Sequence, residues 1–390
     1  MAVISKELFD GVYSNLPCNL MVHPWTPGCA KSGYLTITGS ILGSAKFYSI
    51  VYLLQILMRA KNMKKKEQWI KMGEYYIRST CLGFTVTAAG QVLSCIFRNA
   101  LGRFTYITYL MIPFSLSGVF IYLEPPKRRG LVINLFCNLL IEYYFKVLQR
   151  SGYINLNKSK KVLMFMVGSS LLFYLMRLEG DKVERTPLFW IFTPEKVKHI
   201  SEKSPNVCPH DGDCIKYILK GSLAYFGIGF GISMAKLLLP QIRNPIKAIS
   251  SIRGKHFKMA LFFSSYIGIY RAVICYLCRK RGYDSALYAL PAGYMAGLSM
   301  VFNPNLGMSI AALTAAFKLY STILYEKKVL PSRIPLPELL FCLCQGVLLS
   351  ARILDPDVCP RYVFNLMSTV SGGKCDMVSK SFNEILQRTL

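Results

Sequence analysis

Histidine, acidic residues and the signatures of catalysis are what this chain has least of. It has 4 His, and 20 Asp+Glu stand against 47 Lys+Arg. No Gly-x-Ser-x-Gly elbow, no phosphate-cradling glycine loop with its lysine and no His-Glu-x-x-His pair occurs. The residue patterns of serine hydrolases, nucleotide-binding enzymes and zinc proteases are therefore missing. A membrane acyltransferase or hydrolase would show a histidine with a nearby acid at the end of an apolar run. His210-Asp211 is the candidate for that, and it lies in a hydrophilic linker. A non-enzyme is expected. The first 32 residues lack the apolar core of a signal peptide, and Glu7 and Asp10 interrupt the start. No Arg-rich amphipathic presequence is visible, and Arg388-Thr389-Leu390 is not a peroxisomal matrix tripeptide. Targeting is expected to be internal.

Long apolar runs, by contrast, are plentiful. Hydrophobic residues make up 53% of the 390, with a mean hydropathy of +0.34. A hydrocarbon core about 30 Å thick takes roughly 20 apolar helical residues to cross. Runs of that kind occupy 33–58, 75–97, 104–123, 131–148 and 162–176, then 215–239, 257–278, 286–302, 308–325 and 339–353. The predicted fold is an all-α, polytopic membrane helix bundle of about ten spans, as two homologous halves of roughly five spans each. The fifth run of each half is short, so the alternative is about four full spans plus one interfacial helix per half. Five segments follow: a Cys-containing start (1–32), a first transmembrane half (33–177), a polar linker with a Cys/His cluster (178–214), a second half (215–354) and a tail (355–390). The net charge of +27 sits in short basic clusters at the ends of apolar runs. There the stems snorkel and the heads meet anionic lipid, so membrane lipids rather than nucleic acid are the expected partner.

Laid side by side, the halves suggest duplication. Thr38-Gly39-Ser40 opens the first strong run and Lys220-Gly221-Ser222 the sixth. Pro113 with Gly118 falls within the third run, Pro291 with Gly297 within the eighth, and Glu124-Pro125-Pro126 corresponds to Asn303-Pro304-Asn305. An odd number of spans per half would invert the repeat, as in many transporters; an even number would make it parallel.

Three groups of residues stand out. Small residues four apart, Gly39 with Gly43, Gly227 with Gly231 and Gly293 with Gly297, are expected to pack helices closely within the bundle, or alternatively to build a homo-oligomer. Charges inside apolar runs are costly. Glu142 and Lys146 have the favourable acid-first spacing, and with Arg271 and Lys318 they are a hypothesised intramembrane polar centre, the alternative being structural ion pairs. Each half also begins with a Cys/His cluster: Cys18, His23 and Cys29, then Cys208, His210 and Cys214. Each supplies 3 donors, whereas a closed structural zinc site needs four, and an inverted repeat forbids combining them. Cys18 with Cys29 and Cys208 with Cys214 are accordingly expected as thiol pairs, with no metal and no cofactor. Cys95, Cys137, Cys275 and Cys344, inside apolar runs, read as small buried hydrophobes.

A family resemblance rests on several motifs. His23-Pro24-Trp25 through Cys29, followed by Leu35-Thr36-Ile37-Thr38-Gly39, resembles the cysteine-rich start of the transmembrane protein 135 family, also called peroxisomal membrane protein 52. Cys208-Pro209-His210, Cys214-Ile215-Lys216-Tyr217, Lys220-Gly221, Ile269-Tyr270-Arg271 and the stretch from Ala292 to Met300 are similar to that family's second half. The glycine-spaced runs also look distantly like mitochondrial inner-membrane import translocases. The resemblance implies an integral protein of peroxisomes and mitochondria, associated with lipid droplets, that influences mitochondrial fission, fat storage and fatty-acid handling. It supplies no catalytic residues. The expectation is a scaffold whose partners include fission machinery and, through Lys64–Lys66, a peroxisomal membrane import receptor. The alternative is a carrier of fatty acids, sterols or related lipids.

Overall fold

The computed structural model describes residues 4–59, 66–180, 192–198, 207–238, 252–329 and 335–389. Its secondary structure there is helical. In chain order the helices are α1 (Lys6–Val12), α2 (Cys18–Met21), α3 (Cys29–Arg59), α4 (Lys66–Leu101), α5 (Met111–Ser117), α6 (Pro126–Arg150) and α7 (Lys158–Leu178). They continue as α8 (Cys214–Leu238), α9 (Lys258–Arg281), α10 (Ala289–Gly297), α11 (Leu306–Glu326), α12 (Leu336–Leu354), α13 (Arg361–Val370) and α14 (Lys374–Thr389). The basic residues Lys64 and Lys65 lie outside the described residues.

The boundaries follow local chemistry. Asn157 accepts the Lys160 amide at 3.0 Å and Asn305 that of Met308 at 3.2 Å, which caps α7 and α11. The Asn157 side chain is thus used as a cap. Arg279, Lys280 and Arg281 close α9 where the helix dipole favours cations, and Gly282 follows in the left-handed region at φ 76°.

Among the described residues, six helices are long and apolar enough to cross a membrane: α4, α6, α7, the stretch Gly254–Arg281 containing α9, α11 and α12. Helices α3 and α8, of 31 and 25 residues, carry the first and sixth apolar runs. At 1.5 Å per residue the shorter spans about 38 Å. Large apolar side chains point outward from these helices, among them Leu42 (73% exposed), Leu223 (75%) and Phe317 (72%). Such exposure suits lipid and would be a liability in water.

Ten spans are not shown among the described residues, the third and eighth runs forming shorter apolar helices. Residues 111–123 of the third run and the whole of 286–302 are helical, as α5 and α10 with 3-10 turns at Gly118–Leu123, Ala286–Tyr288 and Leu298–Phe302. Pro113 is the third residue of α5, where the missing amide would have had no intrahelical partner. Pro291 is the third residue of α10, which directly continues the 3-10 turn Ala286–Tyr288. The fifth run of each half, expected to be the weak one, forms a full-length helix instead: α7 has 21 residues and α12 has 19.

Two compact units result, and they cut the chain differently from the predicted halves. The first comprises Met1–Tyr153 with Ile334–Leu390, the second Ile154–Arg333. Helix α12, from the second half of the sequence, packs against α5 and α6 in the first unit; α7, from the first half, packs against α10 and α11 in the second. Arg129 pairs with Glu338 (3.3 Å) and Arg150 with Asp355 (2.5 Å), tying α6 to both ends of α12. The closing segment is no loose tail. Phe382 of α14 stacks on Tyr13 with centroids 4.2 Å apart, and Arg352 pairs with Asp376 at 2.6 Å.

Four of the six singled-out glycines lie at close approaches. A Cβ on Gly43 would meet the Val370 carbonyl at 2.7 Å, one on Gly293 the Ser169 carbonyl at 2.7 Å, and one on Gly297 the Met166 Cα at 2.5 Å; one on Gly39 would collide with the Lys374 amine. Gly227 and Gly231 meet no described atom within 4 Å; on that helix it is Gly229 that touches α9, with Ala260 Cα at 2.7 Å.

Candidate functional site

The first unit encloses a cavity of about 120 Å³. Its walls are apolar: Leu82 and Val86 from α4, Phe114 from α5, Phe136 from α6, Phe341 and Leu349 from α12, with Leu366 and Val370 from α13. One end is polar. Lys374, in the first turn of α14, sends its amine over the Trp25 ring, 5.6 Å from the centroid, and donates to the Leu35 carbonyl. No acidic side chain pairs with it among the described residues, and burial pushes its pKa below the usual lysine value. Beside it, Trp25 Nε1 and Thr36 Oγ1 are buried without a hydrogen-bond partner, as is Gln345 Oε1 on another wall. A buried polar atom left unpaired costs about 1–3 kcal/mol. The site therefore offers an apolar slot, two unused donors, one unused acceptor and a cation with no counter-charge.

The hypothesised polar centre is distributed over both units. Glu142 and Lys146 form an ion pair on α6 at 2.8 Å, partly exposed. In the second unit Arg271 binds Glu195 at 3.0 Å, donates to the Tyr217 carbonyl at 3.1 Å and lies 4.0 Å over the Tyr217 ring. Its guanidinium also fills the space where a Cβ on Gly221 would sit. Arg271 of α9 thus meets the Cys214–Tyr217 and Lys220-Gly221 motifs, neighbours on α8. Lys318 is exposed on α11. A more deeply buried charge pair escaped the sequence reading. Arg177 and Asp284 meet at 2.5 Å with side chains 1% and 0% exposed, and Asp284 also accepts from the Lys198 amide (3.0 Å) and the Cys278 thiol (3.3 Å).

The two Cys/His clusters gain a fourth member each. Cys95 of α4 joins Cys18, His23 and Cys29; Cys275 of α9 joins Cys208, His210 and Cys214. Within each set the sulfur and imidazole nitrogen atoms all lie within 4.8 Å of one another. The expected shortfall of one donor per cluster does not hold, because the missing thiol comes from the C-terminal part of the next long helix.

Residues 15–149 match the family model for the N-terminal cysteine-rich region of Transmembrane protein 135. No solved structure matches the chain.

Proposed function

The chain belongs to the transmembrane protein 135 family of multi-pass membrane proteins, and from that premise we propose that it handles lipid, binding an acyl chain with a carboxylate head in the cavity of its first unit. The observation that carries this reading is Lys374: a cation without a counter-ion at the polar end of an apolar slot. Hydrocarbon fills the space between Phe136, Phe341 and Leu349. The carboxylate takes the ammonium together with the idle donors of Trp25 and Thr36, and desolvation strengthens that pairing. Pockets of this kind, mostly apolar with a few placed polar groups, are the usual form of a small-molecule site. Fatty-acid handling in peroxisomal and mitochondrial membranes, which the family resemblance implies, would draw on this site.

The test is binding of labelled palmitate to the detergent-purified chain. Lys374→Met should weaken it by about tenfold or more, the loss of one charge-assisted contact. Leu349→Trp should abolish it by filling the slot. The methyl ester, lacking a charge, should bind wild type and Lys374→Met alike. Equal palmitate binding by both variants and wild type would remove the proposal.

A scaffold reading, in which the protein organises fission machinery, has one observation in its favour. Gly227 and Gly231 leave a small-residue face on α8 that no described residue covers, suited to a second helix. Cysteine cross-linking at Gly227 should yield a covalent dimer if α8 pairs between copies, and monomer only if it does not. The duplicated series of cluster, two long helices, a short helix and a Pro-containing turn suits either reading.

A further inference from the structure

The cysteine–histidine clusters play no part in the lipid slot, yet they are built alike in both units. In the first, Cys18 opens α2, His23 follows it, Cys29 opens α3 and Cys95 lies on α4. In the second, Cys208 and His210 precede α8, Cys214 opens it, and Cys275 lies on α9.

Three features separate these sets from ordinary thiol packing. The first is spacing. Cys208 and Cys214 have sulfurs 3.7 Å apart, far beyond the roughly 2.05 Å of a disulfide. With metal–sulfur bonds of about 2.3 Å, the edge of a tetrahedral site is ~3.8 Å. The second is the state of the histidines. His23 Nδ1 faces the Thr26 carbonyl at 2.8 Å while Nε2 lies 3.3 Å from Cys29 Sγ. His210 repeats this, with Nδ1 3.4 Å from the Asp211 carbonyl and Nε2 3.3 Å from Cys275 Sγ. A carbonyl can only accept, so the proton sits on Nδ1 and the Nε2 lone pair points at the sulfurs. That is the tautomer and the backbone partner of a metal-ligating histidine. The third is placement: Cys29 and Cys214 occupy helix N-termini, where the dipole favours thiolate.

We infer that each cluster holds one zinc ion in a closed Cys3His site. Three sulfurs and an imidazole suit zinc and do not suit magnesium or calcium. Four atoms within 4.8 Å of one another surround a single metal; a two-iron cluster divides its ligands between two irons and spreads them further. Four protein ligands leave no open position, so each ion is structural. It pins the segment before a long helix to the C-terminal part of the next one, joining α2 and α3 to α4 in the first unit and the 207–213 segment and α8 to α9 in the second.

The test is metal analysis of the full-length chain purified in detergent without chelator. About two zinc ions per chain are expected, one per site. Cys95→Ser and Cys275→Ser should each lose one site's metal, and the double variant both. Cys344→Ser, at a buried thiol outside the clusters, should lose none. Should a serine variant fail to fold, wild type loaded with cobalt(II) keeps the question answerable. It should show the thiolate-to-cobalt absorption of tetrahedral sulfur-rich sites, and X-ray absorption on the zinc form should count three sulfurs and one nitrogen. A chain that retains no zinc and gives no cobalt spectrum overturns the inference. So does iron in place of zinc, a disulfide within either set in the native protein, or full metal content in the double variant.

Discussion

Asp284 holds part of the second unit together although it belongs to no motif. Its carboxylate answers the Arg177 guanidinium, a main-chain amide and a thiol at once, with both charged side chains buried. Removing one partner of a buried pair strands the other charge and typically costs about 3–5 kcal/mol. Asp284→Asn should accordingly lower the thermal unfolding midpoint in detergent far more than Glu74→Gln, which removes the exposed partner of Arg78, a pair worth about 0–1 kcal/mol. Lys374 yields a pH prediction. Burial already favours its neutral form, whereas a bound carboxylate favours the ammonium. Palmitate affinity should therefore fall as pH rises through the lysine's folded pKa, which lies below the usual lysine value, and Lys374→Met should be flat over that range. The sequence exposed these sites unevenly. Cys18, His23 and Cys29 stood close enough to be read as a cluster. Cys95 stood 66 positions beyond Cys29 in an apolar run, where a thiol reads as a small hydrophobe. Arg177 and Asp284, 107 positions apart, carried no mutual signal at all.

Among the helices, the prolines and glycines were the most informative residues and the most easily misread. Pro113 and Pro291 fell within the third and eighth apolar runs; they lie near the starts of the short helices α5 and α10, and in the first turn of α5 a missing amide costs nothing. The fifth apolar runs looked too short, yet polar residues at their ends extend α7 to Lys158 and α12 to Leu336. Which unit each of those two helices joins was not legible, since apolar periodicity says that a face is buried but not against what. Spacing of four singled out Gly39, Gly43, Gly293 and Gly297, which lie at close approaches. On α8 the helix leans on α9 through Gly229, between the two glycines that the spacing singled out. A direct comparison follows. Gly43→Leu drives a side chain into the backbone of α13 and the following turn, so it should reduce the yield of monodisperse protein sharply. Gly231→Leu enters open space and should leave yield and unfolding temperature unchanged, as measured by size-exclusion chromatography and thermal denaturation.

At the scale of the whole molecule, the membrane class was the most legible property, because a chain cannot hide this much hydrocarbon. The number of crossings was not, since composition alone does not separate a span from a short helix with 3-10 ends. With α5 too short to cross, the described residues between the opening of α3 and that of α8 hold the long helices α3, α4, α6 and α7. Four crossings return the chain to the side from which it started, so the two helix openings should face one compartment, as in a parallel repeat. Lys31 and Lys216 each stand two positions after the cysteine that opens α3 or α8, and both are exposed. In proteoliposomes of defined orientation, Lys31→Cys and Lys216→Cys should both react with a membrane-impermeant maleimide from the same side, before detergent is added. Labelling from opposite sides would mean an odd number of crossings between them. The short helix α5 would then have to complete a passage through the bilayer, and the repeat would be inverted.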